Sequence, residues 1–219
     1  MFQIADHRLF YPSDLSETPL LQWMPSPHYT HNREIIPQLI VMHYTAGASA
    51  RSTAEWCCQP EAAVSYHVII DRDGSLIQQV PFNRRAWHAG HSSWQGHTDV
   101  NSFSIGIALA NYGWLPEKDL PAHTPEIPLI QAPHKNAPGR LYWWENYPHA
   151  QLLTLCALVA VLVNEYGITA VAGHDDIAPT RKLDPGPAFY PLPAYLNRDV
   201  THPLFSLVDG PARPFQIPE

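Results

Sequence analysis

Cysteine is scarce in this sequence, and its placement excludes a disulfide scaffold. Cys57 and Cys58 are adjacent, an arrangement that rarely pairs, and Cys156 lies inside an apolar run that reads as a helix. All three are expected as reduced thiols, partly in the core. Basic residues are also few. Lys and Arg number 13 against 20 Asp and Glu, for a formal charge of −7, and they are scattered rather than striped. That argues against a nucleic-acid polyanion as partner. The longest apolar stretch, Leu152 to Val163, falls well short of the roughly 20 residues a membrane-spanning helix needs. The opening Met1-Phe2-Gln3-Ile4-Ala5-Asp6-His7 has neither a basic n-region nor an apolar h-region. No signal peptide is expected, so the expected location is the cytoplasm, with periplasmic or exported action by another route as the alternative. Internal repeats are missing, and so is any His-Glu-x-x-His, which removes the helix-borne pattern of zinc peptidases.

What is present suits a folded domain. With 45% hydrophobic residues in 219, the chain can bury a substantial core without staples, as one large domain or one carrying insertions. Residues 1–34 are polar and proline-punctuated and are expected to wrap the surface as an N-terminal extension. Residues 35–190 read as the domain proper, and the proline-rich tail 191–219 as a C-terminal extension. Leu39-Ile40-Val41-Met42 is a continuous apolar run, as in a buried strand. Ser52-Thr53-Ala54-Glu55 is a capping-box pattern, so a helix should start there and end before Pro60. Val64–Ile70 and Ser75–Val80 flank Asp71-Arg72-Asp73-Gly74, a hairpin signal, and Ser104–Ala110 reads as a further central strand. Gln151 to Tyr166 should form an apolar helix stopped by Gly167. Between Gly113 and Trp144, six prolines (116, 121, 125, 128, 133 and 138) predict a long loop. Its aromatic end, Tyr142-Trp143-Trp144, suits the border of a groove. Strands interleaved with helices predict a single three-layer α/β domain, a central mixed sheet flanked by helices.

Three residues stand in contexts that suit metal ligands. His43 ends the Leu39–Met42 run. His174 follows Ile168-Thr169-Ala170-Val171-Ala172 through Gly173, and Asp184 lies ten residues on, before Pro185-Gly186-Pro187. The chain has 13 histidines, so any one alone is weak; the inference rests on convergence. Two imidazoles and a carboxylate leave a tetrahedral zinc one open position, the pattern of a catalytic site. Lys182, two residues before the carboxylate, could set an ammonium beside an oxyanion. Trp87, His88, Ala89 and Gly90 offer an aromatic wall and a small-residue floor for a groove. For Trp87 the alternative is core packing, and for His88 a buried hydrogen-bonded role.

Several stretches together resemble the zinc-dependent N-acetylmuramoyl-L-alanine amidases of the AmpD and AmiD type. They are Val41-Met42-His43-Tyr44-Thr45-Ala46, Val64-Ser65-Tyr66-His67-Val68-Ile69-Ile70, Arg85-Ala86-Trp87-His88-Ala89-Gly90, Asn101-Ser102-Phe103-Ser104-Ile105-Gly106-Ile107, and Gly173-His174-Asp175-Asp176-Ile177-Ala178-Pro179 through Asp184-Pro185-Gly186-Pro187. The resemblance runs from about Pro37 to Phe189, with the motifs in the family's order. It implies Zn2+ on His43, His174 and Asp184, with Lys182 in the catalytic apparatus and Asn101 beside the substrate residues. The implied reaction is hydrolysis of the amide joining the lactyl group of N-acetylmuramic acid to L-alanine, in peptidoglycan or a muropeptide.

One position departs from that pattern. The family carries a glutamate after Ile-Gly-Ile as its general base, and this chain has Ala108 there. A methyl group moves no protons. Three readings compete: a glutamate removed so that substrate is trapped, Tyr66 acting instead, as in related phage and animal members, or a muropeptide-binding protein that does not cut. The intact ligand set and Lys182 favour the first.

Overall fold

The computed structural model describes residues 2–11, 21–117, 120 and 128–189. The chain opens with the antiparallel pair β1 (Gln3–Ala5) and β2 (Arg8–Phe10), followed by β3 (Leu21–Trp23) and β4 (Tyr29–Glu34). Next come β5 (Leu39–Tyr44), helix α1 (Ala50–Trp56), and the hairpin of β6 (Val68–Ile70) and β7 (Leu76–Gln78). β8 (Arg84–Ala86) pairs with β4, and β9 (Ser93–Trp94) with β10 (His97–Thr98). Then follow β11 (Ser104–Leu109), β12 (Trp114–Leu115), β13 (Leu129–His134) and β14 (Ala137–Glu145). Helix α2 (His149–Tyr166), β15 (Ala170–Gly173) and the single turn α3 (His174–Ile177) complete the described chain.

The central sheet has the order β15-β5-β11-β6-β7-β3. Its first four strands are parallel; β7 runs antiparallel to β6, and β3 is parallel to β7. Parallel strands are buried on both faces, which is why Leu39–Met42 reads as an unbroken apolar run. One face carries Ile40, Met42, Ile105, Ile107, Leu109, Val68 and Ile70 against Leu152, Leu155, Leu158 and Leu162 of α2. Each such leucine contributes about 1.5–3 kcal/mol by leaving water. By length and composition α2 alone would pass for a membrane span; here it is the helix that covers this face. On the other face α1 sets Ala50 and Ala54 against Ile69, Ile77 and Ala108. Ala89, Val100 and Ile177 cover Leu39 and Val41. The result is a single α/β domain in three layers.

Local chemistry explains the element ends. Asp71 N–H donates to the Ser75 carbonyl and Gly74 takes φ +86° in the β6–β7 turn, a conformation glycine adopts without steric cost. Gly167, with φ +64°, closes α2 as expected. Helix α1 begins earlier than the capping-box pattern suggested, because Ser49 is the cap and its Oγ accepts from Ser52 N–H.

Two expectations are corrected. Residues 2–11 and 21–34 do more than wrap the surface: β3 extends the central sheet, and Phe2 and Leu9 enter the core. The segment from 113 to 144 is not one long loop, since β12, β14 and β13 form a three-stranded antiparallel sheet. Its prolines do not prevent this. Pro133 lies on the outer strand, and the register shifts between it and His134, so neither it nor Pro138 interrupts a regular ladder. The tail from Pro191 lies outside the described residues.

Candidate metal centre

β5 and β15 are parallel neighbours, with Gly173 opposite Met42, so His43 and His174 leave the sheet side by side. The chain then loops back, and Asp175 N–H donates to the Asp184 carbonyl at 2.8 Å, bringing Asp184 against α3. Gly173 is needed at this bend, because a Cβ there would lie 2.2 Å from Asp175 Oδ1. His43 Nδ1, His174 Nδ1 and Asp184 Oδ2 form a triangle with each side 2.9 Å. All three residues are buried, and they form a cluster able to hold a metal ion. Neither His67 nor His88 belongs to it. A polar surface cavity of about 460 Å³ beside the β1–β2 turn shares no residue with it.

The electrostatics suit a cation. Burial first, and then the neighbouring His174, push the His43 imidazole down to about 4, against the opposing pull of Asp184. Burial disfavours the ionised form of Asp184, yet His174 and His43 against its Oδ2 outweigh that and hold the carboxyl well below its ordinary range. Neutral imidazole and ionised carboxylate are the forms a metal requires. The far nitrogen of His174, Nε2, lies 3.1 Å from the Ala89 carbonyl, which can only accept. With its proton there, Nδ1 presents a lone pair to the triangle. Three donor atoms converging at such spacing can close on a single cation, so the donor set fits a divalent metal with a borderline preference such as zinc.

The other residues singled out in the sequence have specific surroundings. Ala108 lies opposite His43 on the adjacent strand, fully buried in the apolar cluster of Ala50, Ala54, Ile69 and Ile77. Tyr66 packs against that cluster with its ring 5.2 Å from His43. Burial first, then Asp184, push its phenol above the ordinary range. Lys182 is half-buried and close enough to His43 for its charge to depress the imidazole.

Trp87, His88, Ala89 and Asn101, expected beside the substrate, make hydrogen bonds within the protein, and His88 has the buried, hydrogen-bonded role left open for it above. Both nitrogens of His88 are occupied, by His43 and Ser104. The Ala89 carbonyl accepts from His174 and from Arg181 Nη2. Asn101 Oδ1 accepts from the N–H groups of His88 and Ala89, at 3.1 and 2.8 Å, so it shapes this segment from behind. Trp87 leans on Thr30 and His28. Gly90 alone is exposed, with φ +58°. Trp144, expected at the border of a groove, is buried, donates to the Ala132 carbonyl, and lies over Gly186, where a Cβ would be 2.8 Å from its ring.

Sequence reasoning missed a second layer around the triad. Arg181 Nη2 donates to the carbonyls of Ala89 and His91, tying the His88–His91 segment to the loop that carries Asp184. The turn between β13 and β14 reaches α3: His134 Nε2 donates to Asp175 Oδ2 at 2.9 Å, and Lys135 Nζ lies 2.9 Å from Asp175 Oδ1 and also pairs with Asp176. Asn136 Nδ2 donates to the Asp175 carbonyl. The paired acids Asp175-Asp176 after His174 and the run His134-Lys135-Asn136 are visible in the sequence, but nothing local links them.

The family model described as N-acetylmuramoyl-L-alanine amidase matches residues 32–187. The 1,6-anhydro-N-acetylmuramyl-L-alanine amidase AmpD of Escherichia coli K12 is 33% identical over 186 residues, covering 76% of this chain and 85% of the relative. A crystal structure of a selenomethionine AmpD derivative superposes with a TM-score of 0.54 at 30% identity, over 85% of this chain and 93% of the other. The E. coli amidase AmiD, solved with anhydro-N-acetylmuramic acid-L-Ala-D-γ-Glu-L-Lys, gives 0.55 at 25% identity, over 86% and 62%. The chain belongs to the AmpD/AmiD-type N-acetylmuramoyl-L-alanine amidase family.

Proposed function

We propose that this chain binds a peptidoglycan fragment or muropeptide at a zinc site formed by His43, His174 and Asp184. Its reaction is hydrolysis of the amide between the lactyl group of N-acetylmuramic acid and L-alanine, slowed by the residue at position 108. The observation that carries this reading is the 2.9 Å convergence of the three donor atoms within the amidase fold. A zinc ion there would polarise the amide carbonyl and acidify the attacking water. Lys182 offers an ammonium to the negative charge that develops on the carbonyl oxygen. Ala108 can take no proton from the water. Tyr66, its phenol held above the ordinary range, is a donor at neutral pH: it can hand a proton to the departing nitrogen but is poorly suited to removing one from water.

A second reading, recognition of muropeptides without cleavage, is favoured by the apolar packing around Ala108. Incubating zinc-loaded protein with an anhydro-muropeptide and with polymeric peptidoglycan, and following released peptide by mass spectrometry, separates the two. Ala108→Glu should raise turnover by about 10²–10⁴-fold. Full activity of the native chain that Tyr66→Phe abolishes would make the tyrosine the proton-transfer group. Binding with no cleavage by native chain and Ala108→Glu alike would favour recognition. Zinc bound through other histidines would sink the site assignment.

A further inference from the structure

His43 Nε2 lies 3.1 Å from His88 Nδ1, and His88 Nε2 lies 3.3 Å from Ser104 Oγ. Ser104 Oγ in turn lies 2.6 Å from the Val100 carbonyl. A carbonyl can only accept, so the Ser104 hydroxyl donates to it, and Oγ is left as the acceptor for His88 Nε2–H. A neutral imidazole with its proton on Nε2 has a bare Nδ1. His88 Nδ1 must therefore accept, and His43 Nε2 must donate to it. The direction of every bond follows from the single fixed carbonyl at the end of the row.

We propose that His88 is a positioning residue that fixes the tautomer of His43, keeping its proton on Nε2 and turning a bare Nδ1 toward His174 and Asp184. The fold is shaped around this ring. Gly106, beside it on β11, admits the imidazole because it has no side chain; a Cβ there would lie 2.4 Å from His88 Cγ. The backbone of His88 is held by Asn101. Outer-layer partners of this kind typically change metal affinity by about 10–100-fold. The inference rests on the reading of His43 as a metal ligand, and the first measurement below requires neither metal nor activity.

In metal-free protein labelled with 15N-histidine, at pH 7.5, long-range 15N–1H correlations should show His43 and His88 both protonated on Nε2 alone. A proton on His43 Nδ1 would overturn the proposal. The second measurement is zinc affinity by chelator competition. His88→Phe should bind zinc about 10–100-fold more weakly and give a mixed His43 tautomer. His88→Asn, whose Oδ1 can stand in for the lost Nδ1 acceptor, should recover affinity to within a few fold of the native chain. Equal affinity of the native chain and His88→Phe would overturn the proposal, as would equal weakening by Phe and Asn in variants that both unfold cooperatively. If His88→Phe fails to fold, the tautomer spectrum of the native chain decides alone. If the native chain binds no zinc, the metal reading fails while the tautomer result stands on its own.

Discussion

The two sides of the candidate metal centre are braced in unlike ways. On the β5 side, His43 is backed by a row of neutral groups, His88, Ser104 and the Val100 carbonyl, each making directed hydrogen bonds. On the α3 side, the helix bearing His174 is gripped by an ionic cluster, Asp175 and Asp176 against Lys135 and His134. A row of directed bonds specifies which atom carries a proton. An ionic cluster specifies position strongly and proton placement hardly at all, since a Lys ammonium offers three equivalent donors. The centre separates two requirements: orientation of lone pairs on one side and placement of the α3 turn on the other.

The largest effect should come from the ionic side. Lys135→Met would leave two buried carboxylates facing each other and should cost about 3–5 kcal/mol, measured by urea denaturation at pH 7. A loss below 1 kcal/mol would show the cluster to be solvated and the contrast overstated. Beside the neutral row, though not part of it, lies His67, whose ring is 5.7 Å from that of His88; it should show itself in acid. Burial holds His67 down to about 4 from an ordinary 6.5, so the unfolded chain takes up a proton first as pH falls. The contribution of His67 to stability is complete above pH 6.5 and is lost progressively as pH falls toward 4, up to roughly 3 kcal/mol. His67→Gln should remove that part of the slope in metal-free protein; an unchanged slope would assign it elsewhere.

Gly106→Ala attacks the neutral row sterically and should cost about 1–3 kcal/mol, with a larger proportional loss of zinc affinity than Lys135→Met gives per kcal/mol. If both variants lose affinity only in step with stability, the two braces do not differ in kind. Ser49→Ala, at the cap of α1 and outside both braces, should cost about 1 kcal/mol without changing zinc affinity, and so serves as the reference for purely local damage.

Which of these features could be read from the sequence follows from their range. The strand that carries His43 was legible because a parallel strand leaves a local mark, four apolar residues in a row. Gly74 and Gly167 were legible because turn and helix-end conformations belong to single residues. The partners of His88 and Asn101 were not. Their roles arise from partners 45 and 12–13 residues away, and an inward-facing imidazole looks the same in sequence as a groove-lining one. The β13–β14 sheet was missed because proline counts ignore position, and a proline on an outer strand or at a register shift costs no ladder bond. The core side of residues 2–11 was hidden because Phe2 and Leu9 are isolated in the sequence: Gln3, Ala5, Asp6 and Arg8 between them are exposed.

The triangle itself carries a consequence for how the chain matures. His43 and Asp184 stand 141 residues apart, and β15 must dock on β5 after nearly everything between them has been synthesised. Closing so long a loop adds little cost in chain entropy beyond that of a shorter one, about 0.6 kcal/mol per doubling, but it sets an order of events. No nascent fragment ending before β15 can own the site. Metal binding by these three side chains would therefore be a late property that reports on the whole domain, and a bound ion would act as a latch between β5 and the loop after α3. If zinc occupies the site as proposed, its release on heating should coincide with global unfolding, even though the ion would touch only three side chains of this chain.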